Sequence, residues 1–287
     1  MTAYYNEIEP YAAQWLRNLE GAGHIAAGTI DHRDIRDVTP EDIGHGQAHF
    51  FAGIGAWSHA LRLAGVPDNA NIWTGSAPCQ PFSTAGKRKG TDDERHLWPT
   101  WYELIAKCRP AIVFGEQVAS PDGRRWLDTV RSQMETLGYA VGAADMCAAG
   151  VGAPHIRQRL FWVAVASEKR LEGLRVGLGH ADSTGVRREP RGSTQTQGEV
   201  PVRTVSDPAV SSGKACAGHW ADHEWVPCRN PRDPNQTDFR PVEPGTLPLA
   251  HGIANRVGRL RAYGNAIVPQ VAAAFIKATL QTLDMEV

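Results

Sequence analysis

At 287 residues, with 42% hydrophobic and 21% charged side chains, the chain is long enough for one substantial core plus a smaller appended unit, and wholesale disorder is excluded. A formal net charge of −1 excludes global basicity as the means of holding nucleic acid, so any such binding has to rest on local patches. Five cysteines, Cys79, Cys108, Cys147, Cys216 and Cys228, are odd in number and form no CxxC pair, which points to a reducing compartment; with a polar N-terminus and no apolar run near the ~20 residues of a membrane span, the expectation is a soluble, cytoplasmic protein with no membrane contact.

Thr2 to Ile8 is a short β-prone run, and Pro10 to Leu19 has a helical pattern that Gly21 is placed to stop. Tyr11, Gln14 or Trp15, and Leu19 could share one face. A second short strand is expected over Gly28 to Ile30, followed by a polar stretch from Asp31 to Asp37. Ala48 to Ala56 reads as an apolar strand entering a glycine turn, and Trp57 to Ala64 continues as a helix closed by Gly65 and Pro67. Gly53 and Gly55, one residue apart between strand and helix, let a ligand approach the backbone, although a GxG turn is equally compatible with no ligand at all.

Ile72-Trp73-Thr74 is β-prone and leads into Gly75-Ser76-Ala77-Pro78-Cys79-Gln80-Pro81-Phe82-Ser83. A cysteine there sits at a strand's carboxyl end, where open α/β sheets carry their chemistry. A lone cysteine is more often a buried structural thiol; reactivity needs a thiolate and partners supplied from elsewhere. Lys87, Arg88 and Lys89 follow in a glycine-flanked loop, and such a run by itself reads as solvated surface. Leu97 to Cys108 predicts a helix. Pro110 to Gly115 predicts a buried strand delivering Glu116 at its end. Gly123 to Leu137 is amphipathic, with Leu127, Val130, Met134 and Leu137 in one stripe. Strands over Tyr139 to Cys147 and Arg159 to Ala166 complete an alternating α/β pattern. From Ser167 the texture turns to Gly, Ser, Thr, Gln, Arg and Pro, with Trp220, Trp225 and Phe239 in a small irregular unit. A last helix runs from Ile267 to Leu283.

Five segments, Phe51 to Gly55 (FAGIG), Pro78 to Ser83 (PCQPFS), Gly115 to Val118 (GEQV), Gly152 to Phe161 (GAPHIRQRLF) and Gly264 to Val271 (GNAIVPQV), together resemble the DNA (cytosine-5) methyltransferase family, in the family's order. The resemblance implies a Rossmann-like α/β sheet for S-adenosylmethionine-dependent methyl transfer, with helices on both faces. It divides the chain into a catalytic and cofactor-binding domain over 1–166, a small target-recognition region over 167–250 and a C-terminal segment over 251–287 that returns to the first domain. It implies double-stranded DNA as partner, a monomer, and no metal; Cys216, His219, His223 and Cys228 have a spacing zinc could use, but the resemblance brings none.

The implied chemistry is coherent on its own terms. Cytosine C5 is a poor nucleophile, so a thiolate must first add to C6, and a carboxylic acid at N3 helps that addition. By motif, Cys79 is the nucleophile, Glu116 the acid, and Arg159 the arginine near the cytosine O2, with Arg157 fixing its loop or a phosphate. A stacked base must be flipped out to reach such a site, and the loop over Ser83 to Arg95 would close on it, with Gln80, Ser83, Lys87, Arg88, Lys89 and Arg95 on the DNA. Arg187, Arg188, Arg191, Trp220 and Trp225 are further candidates for reading or bracing DNA, though the tryptophans fit a mini-core better.

Cofactor contacts fall to Phe51, Ala52, Gly53, Ile54, Gly55, Pro78, Asn265 and Ala266. Two family elements stand out of order: Glu7-Ile8 matches the segment whose carboxylate holds the ribose, and Asp34-Ile35 matches the one that meets the adenine amine. Both usually follow the glycine loop and here precede it, which implies that the sheet's second and third strands are made before its first. His49, Gln117 and His155 depart from the family's acidic residue, Asn and Gln. A catalytically silent DNA-binding protein on this scaffold and an RNA cytosine-5 methyltransferase are the alternatives, and by analogy the compact length suggests a solitary enzyme of phage or prophage type.

Overall fold

The computed structural model describes residues 3–78, 97–153, 155–166, 263–283 and 285 in full, and the backbone of 224–229 and 237–242. Seven strands form the main sheet: β1 (Ala3–Asn6), β2 (Gly28–Asp31), β3 (Gln47–Phe50), β4 (Ile72–Gly75), β5 (Ile112–Val118), β6 (Ala140–Cys147) and β7 (Gln158–Val165). Their spatial order is β2-β1-β3-β4-β5-β7-β6. β1 to β5 pair in parallel, and β7 runs antiparallel between β5 and β6. The result is a Rossmann-like α/β sheet, as the resemblance implied.

Helices cover both faces, and strand alternation decides which residue serves which. Ile112 and Phe114 of β5 and Phe161 and Val163 of β7 join a core with α3 (Ala56–Leu63) and the C-terminal α6 (Pro269–Thr282). Val113, Leu160, Trp162 and Ala164 point the other way, onto α4 (Trp98–Cys108) and α5 (Pro121–Thr136). This period of two on strands buried from both sides is why these segments read as continuous apolar runs. Helix starts follow local chemistry: Pro10, Pro121 and Pro269 occupy first-turn positions, and Glu9 and Ser120 accept backbone N–H groups as caps.

The strand order settles the chain-order anomaly. β1 lies directly beside β3, and β2 lies outside β1, so of the two strands synthesised before the glycine turn one stands next to it in space and the other is one strand further out. Parallel connections pass over the sheet's faces, which leaves spatial order independent of the order of synthesis.

Four local details are sharpened or corrected by the structure. In α1 (Pro10–Gly21) the buried residues are Ala12, Ala13 and Leu16, while Gln14 is exposed and Tyr11, Trp15 and Leu19 are partly so; small alanines let the helix sit close to β1, and the aromatics are left at its margin. The polar stretch after β2 holds a single 3-10 turn (Ile35–Asp37) and then α2 (Pro40–Ile43), closed by a Thr39/Asp42 capping box. β5 does not stop at Gly115. Its pairing with β4 ends there, but antiparallel β7 supplies ladder partners as far as Val118, so Glu116 sits within a strand. In the region expected to be irregular, β8 (Glu224–Arg229) and β9 (Thr237–Val242) pair as an antiparallel two-stranded sheet. Among the described residues no helix is long and apolar enough to cross a membrane.

Candidate active site

The site is built at the carboxyl edge of the parallel strands. After β3 the chain turns through Phe51, whose φ of 51° is in the left-handed region, and α3 starts from Gly55 at φ 79°. A side chain at Gly55 would be strained by that φ and would also meet Leu16 and Ile25 at 3.1 to 3.3 Å. Phe51 holds its conformation against the edge of Trp101, with ring centroids 5.9 Å apart.

The turn is tied to β1 by groups from the preceding part of the chain. Ala52 N–H donates to the Asn6 carbonyl (3.1 Å), and Gly53 N–H donates to Glu7 Oε2 (2.7 Å), while Glu7 Oε1 accepts from Glu9 N–H (2.9 Å). Asn6 Nδ2 reaches across to the Arg33 carbonyl (2.9 Å), beyond the end of β2. There Asp34 caps the 3-10 turn and pairs with Arg36 at 2.6 Å, and Ile35 is buried while Ile8 is exposed. Upstream, Asp31 takes the Arg33 guanidinium and the Tyr4 hydroxyl. Burial opposes ionisation of Asp31, but Arg33 and Tyr4 outweigh it and bring the carboxyl down to about 2. The structure therefore brings Glu7 into contact with the glycine turn and sets Asp34 at the end of β2, two strands from β3.

The second cluster centres on Glu116, 8% exposed in the middle of the β5/β7 ladder. Arg159 Nε lies 2.9 Å from Glu116 Oε1. Burial pushes the Glu116 carboxyl above its ordinary range, and Arg159, the Ser76 hydroxyl and Arg157 pull it partly back. A carboxyl so placed keeps its proton more readily than an exposed glutamate does. Arg157 is committed to structure: its Nη2 donates to the carbonyls of Gly264 and Ala266, each at 2.8 Å. These bonds fix the segment carrying Asn265 and Ala266 against the loop that leads into β7. Gln117, standing for the family's Asn, donates to the Ala77 carbonyl (3.2 Å) and accepts from Val118 N–H (2.9 Å). It thereby ties β5 to the segment Ser76-Ala77-Pro78, with Pro78 exposed at the sheet edge.

Beneath this edge lies an aromatic floor. Gly75 and Gly115 face each other in register; a Cβ on Gly75 would stand 2.6 Å from Trp101, and one on Gly115 would fall inside the Trp162 ring. Trp98, Trp101, Trp126 and Trp162 pack edge to face or tilted at 5.6 to 6.4 Å. A second departure, His49, is buried under the same edge, bonded to Thr74 Oγ1 (2.8 Å) and Gln47 Oε1 (3.1 Å) and stacked on Tyr5. Burial drives it down to about 3, so it is neutral. It acts as a hydrogen-bonding member of the core.

A cavity of about 910 Å³ opens between the start of α3, the start of α6 and the end of α1, with Ile54, Gly55, Arg157, Arg159 and Ala266 on its wall. Trp15, His24, His59 and Tyr263 also line it, and none of these was signalled by a motif; Trp15 and Tyr263 meet edge to face at 6.2 Å. His155 lies on this wall too. Among the described residues no group of three or more His, Cys, Asp or Glu is arranged to hold a metal ion. The donor set fits a nucleoside-bearing cofactor: a carboxylate fixed against a glycine turn, open space over Gly53, and an adjoining cavity. Ser76, which acts on the Glu116 carboxyl, and Trp57, which donates to Ser76, were not flagged by the motifs, although Ser76 lies within the Cys79 stretch itself.

Cys79, Gln80, Ser83, Lys87, Arg88, Lys89 and Arg95 lie outside the described residues, as do Arg187, Arg188, Arg191, Cys216, His219, Trp220 and His223. For Trp225 and Cys228 the description is of backbone alone.

The comparisons with known proteins are consistent with one another. The family model described as C-5 cytosine-specific DNA methylase matches residues 3–203. The Type II methyltransferase M.AplI of Arthrospira platensis is 34% identical over 99 residues, covering 34% of this chain and 29% of that protein. M.NgoMIV of Neisseria gonorrhoeae is 33% identical over 104 residues, covering 35% and 33%. The chain thus matches about a third of the length of these relatives. Among solved structures, an Entamoeba histolytica methyltransferase aligns with a TM-score of 0.40 and 16% identity, over 57% of this chain and 44% of that one.

Proposed function

The chain belongs to the C-5 cytosine-specific DNA methylase family, and from that membership we propose that it transfers a methyl group to C5 of a flipped-out cytosine in double-stranded DNA. The observation that carries the proposal is the buried Glu116 with Arg159 at 2.9 Å, one strand away from the segment that leads into Cys79.

The chemistry assigned to the side chains runs as follows. The Cys79 thiolate adds to cytosine C6, and the electron pair of the C5–C6 bond is left at C5. Glu116, whose protonated form burial favours, holds a proton at N3 and so favours that addition. Arg159 fixes the carboxyl and faces the O2 side of the base. S-adenosylmethionine would supply an electrophilic methyl group, held by Glu7 and the turn over Phe51 to Gly55, with Asp34 and Ile35 toward its adenine and Asn265 and Ala266 closing over it. Loss of the C5 proton to a base then restores the ring double bond and expels Cys79. Support for the cofactor assignment is the bond from Gly53 N–H to Glu7, which joins two segments that lie 46 positions apart.

The test is incubation of the full chain with labelled S-adenosylmethionine and double-stranded DNA of mixed sequence, followed by detection of 5-methylcytosine. Transfer is expected with wild type and absent with Cys79→Ser, which should still bind the cofactor. Methylation retained by Cys79→Ser would mean that another group is the nucleophile, and no transfer by wild type across salt and sequence would overturn the proposal.

A further inference from the structure

We infer that Ser76, oriented by the indole of Trp57, is a positioning residue that sets the direction of the Glu116 carboxyl. The inference rests on the cytosine chemistry proposed above and adds two residues to it. The parallel register places Gly75 of β4 opposite Gly115 of β5, so the next residues, Ser76 and Glu116, lie side by side at the sheet's carboxyl edge. Trp57 Nε1 donates to Ser76 Oγ at 3.1 Å. An indole N–H is a donor only, so it occupies a lone pair on the serine oxygen and leaves the hydroxyl proton for the other neighbour. That neighbour is the Glu116 side chain, one residue past the Gly75/Gly115 register pair on the adjacent strand, whose ionised form the Ser76 hydroxyl favours.

Trp57 is itself immobile: 3% exposed, and packed on Phe114 and Phe161 with centroids 6.5 and 6.0 Å away. The charged groups facing Glu116 are Arg159 from β7 and Arg157 from the loop before it. Both approach from the β7 side. A carboxyl held from one side alone can swing about its last single bond, and Ser76 supplies the second point of attachment from the β4 side. Ser76 also stands three positions before Cys79, so one short segment carries both the hydroxyl that aims the acid and the thiol. Because a serine hydroxyl donates best to the ionised carboxylate, its loss favours the protonated form of Glu116 further.

The test uses the full chain and methyl transfer to DNA followed from pH 6 to pH 9.5. Removing one hydrogen bond to a chargeable group by Ser76→Ala is expected to lower kcat about tenfold and to move the alkaline limb of kcat up by about one pH unit, with KM for the cofactor unchanged. Ser76→Thr, which keeps the hydroxyl, should restore both. Trp57→Phe keeps a ring in the core but frees the hydroxyl to rotate, and should lower kcat with Ser76 still present. If Ser76→Ala does not fold, Trp57→Phe and Ser76→Thr carry the test. A Ser76→Ala profile that superimposes on wild type, or a folded Ser76→Thr that behaves like Ser76→Ala, overturns the inference while wild-type transfer leaves the functional proposal standing. Absence of transfer by wild type overturns both.

Discussion

Acidification should destabilise this fold through His49. The imidazole is 1% exposed, and its two bonds specify one tautomer. Gln47 Nε2 donates to the Pro67 carbonyl (2.9 Å), which leaves Gln47 Oε1 as acceptor; His49 Nε2 must then carry the proton, and Nδ1 accepts from the Thr74 hydroxyl. A second proton on Nδ1 would confront the Thr74 oxygen and charge a fully buried ring, and the pull of the Asp68 carboxylate does not offset that burial. Burial therefore brings His49 down to about 3 from an ordinary 6.5. Since the folded value lies below the unfolded one, the unfolded chain binds the extra proton first, and stability present above pH 6.5 is lost as pH falls toward 3. From pH 6.5 to pH 5 the loss amounts to about 2 kcal/mol, at ~1.4 kcal/mol per unit. The assay is urea unfolding of wild type and His49→Gln at pH 7, 6 and 5. His49→Gln should be less stable at pH 7, and the gap between the two should narrow by about 2 kcal/mol at pH 5. A gap that stays constant across the range would mean that His49 does not titrate between the folded and unfolded states, and would refute the argument.

Two further outcomes follow from the same edge of the sheet. Gly115→Ala puts a methyl group into the Trp162 ring; overpacking of this kind should destabilise by about 1 to 3 kcal/mol and is measurable as a lowered Tm, whereas an unchanged Tm would show that the tryptophan floor repacks freely. Glu7→Gln keeps an oxygen for Gly53 N–H but removes the negative charge, and should weaken S-adenosylmethionine binding by about tenfold or more in calorimetry, with the fold intact. Wild-type affinity in that variant would remove Glu7 from the cofactor's contacts.

Much of the framework was legible because its signals are local. The stripe of Leu127, Val130 and Met134 belongs to a helix that buries those residues, and the apolar runs around Ile112 and Phe161 became central strands. Where the signal was not local, expectation and structure part. α1 buries its alanines and Leu16 because the distance to β1 is set by the sheet, and the larger aromatics of the same helix fit better at the cavity wall. β5 continues through Glu116 because a strand's length depends on the partner that pairs with it, and β7 lies more than forty residues further along the chain.

The sequence by itself determined the candidate reacting groups: a cysteine in PCQPFS, a glutamate in GEQV and two arginines in GAPHIRQRLF stand out by identity, spacing and order without coordinates. It also exposed the displaced order of Glu7 and Asp34 relative to the glycine turn. Only the tertiary structure decided that β1 stands beside β3 and brings Glu7 onto the glycine turn, since hydrogen bonding between parallel strands fixes who stands beside whom regardless of when each strand is made. It decided as well that Glu116 is buried against Arg159, that Arg157 is spent on the carbonyls of Gly264 and Ala266, and that the Trp57 indole donates to Ser76. Desolvation and hydrogen-bond direction are properties of the packed neighbourhood, and they turn a carboxylate in a motif into a group poised to hold a proton.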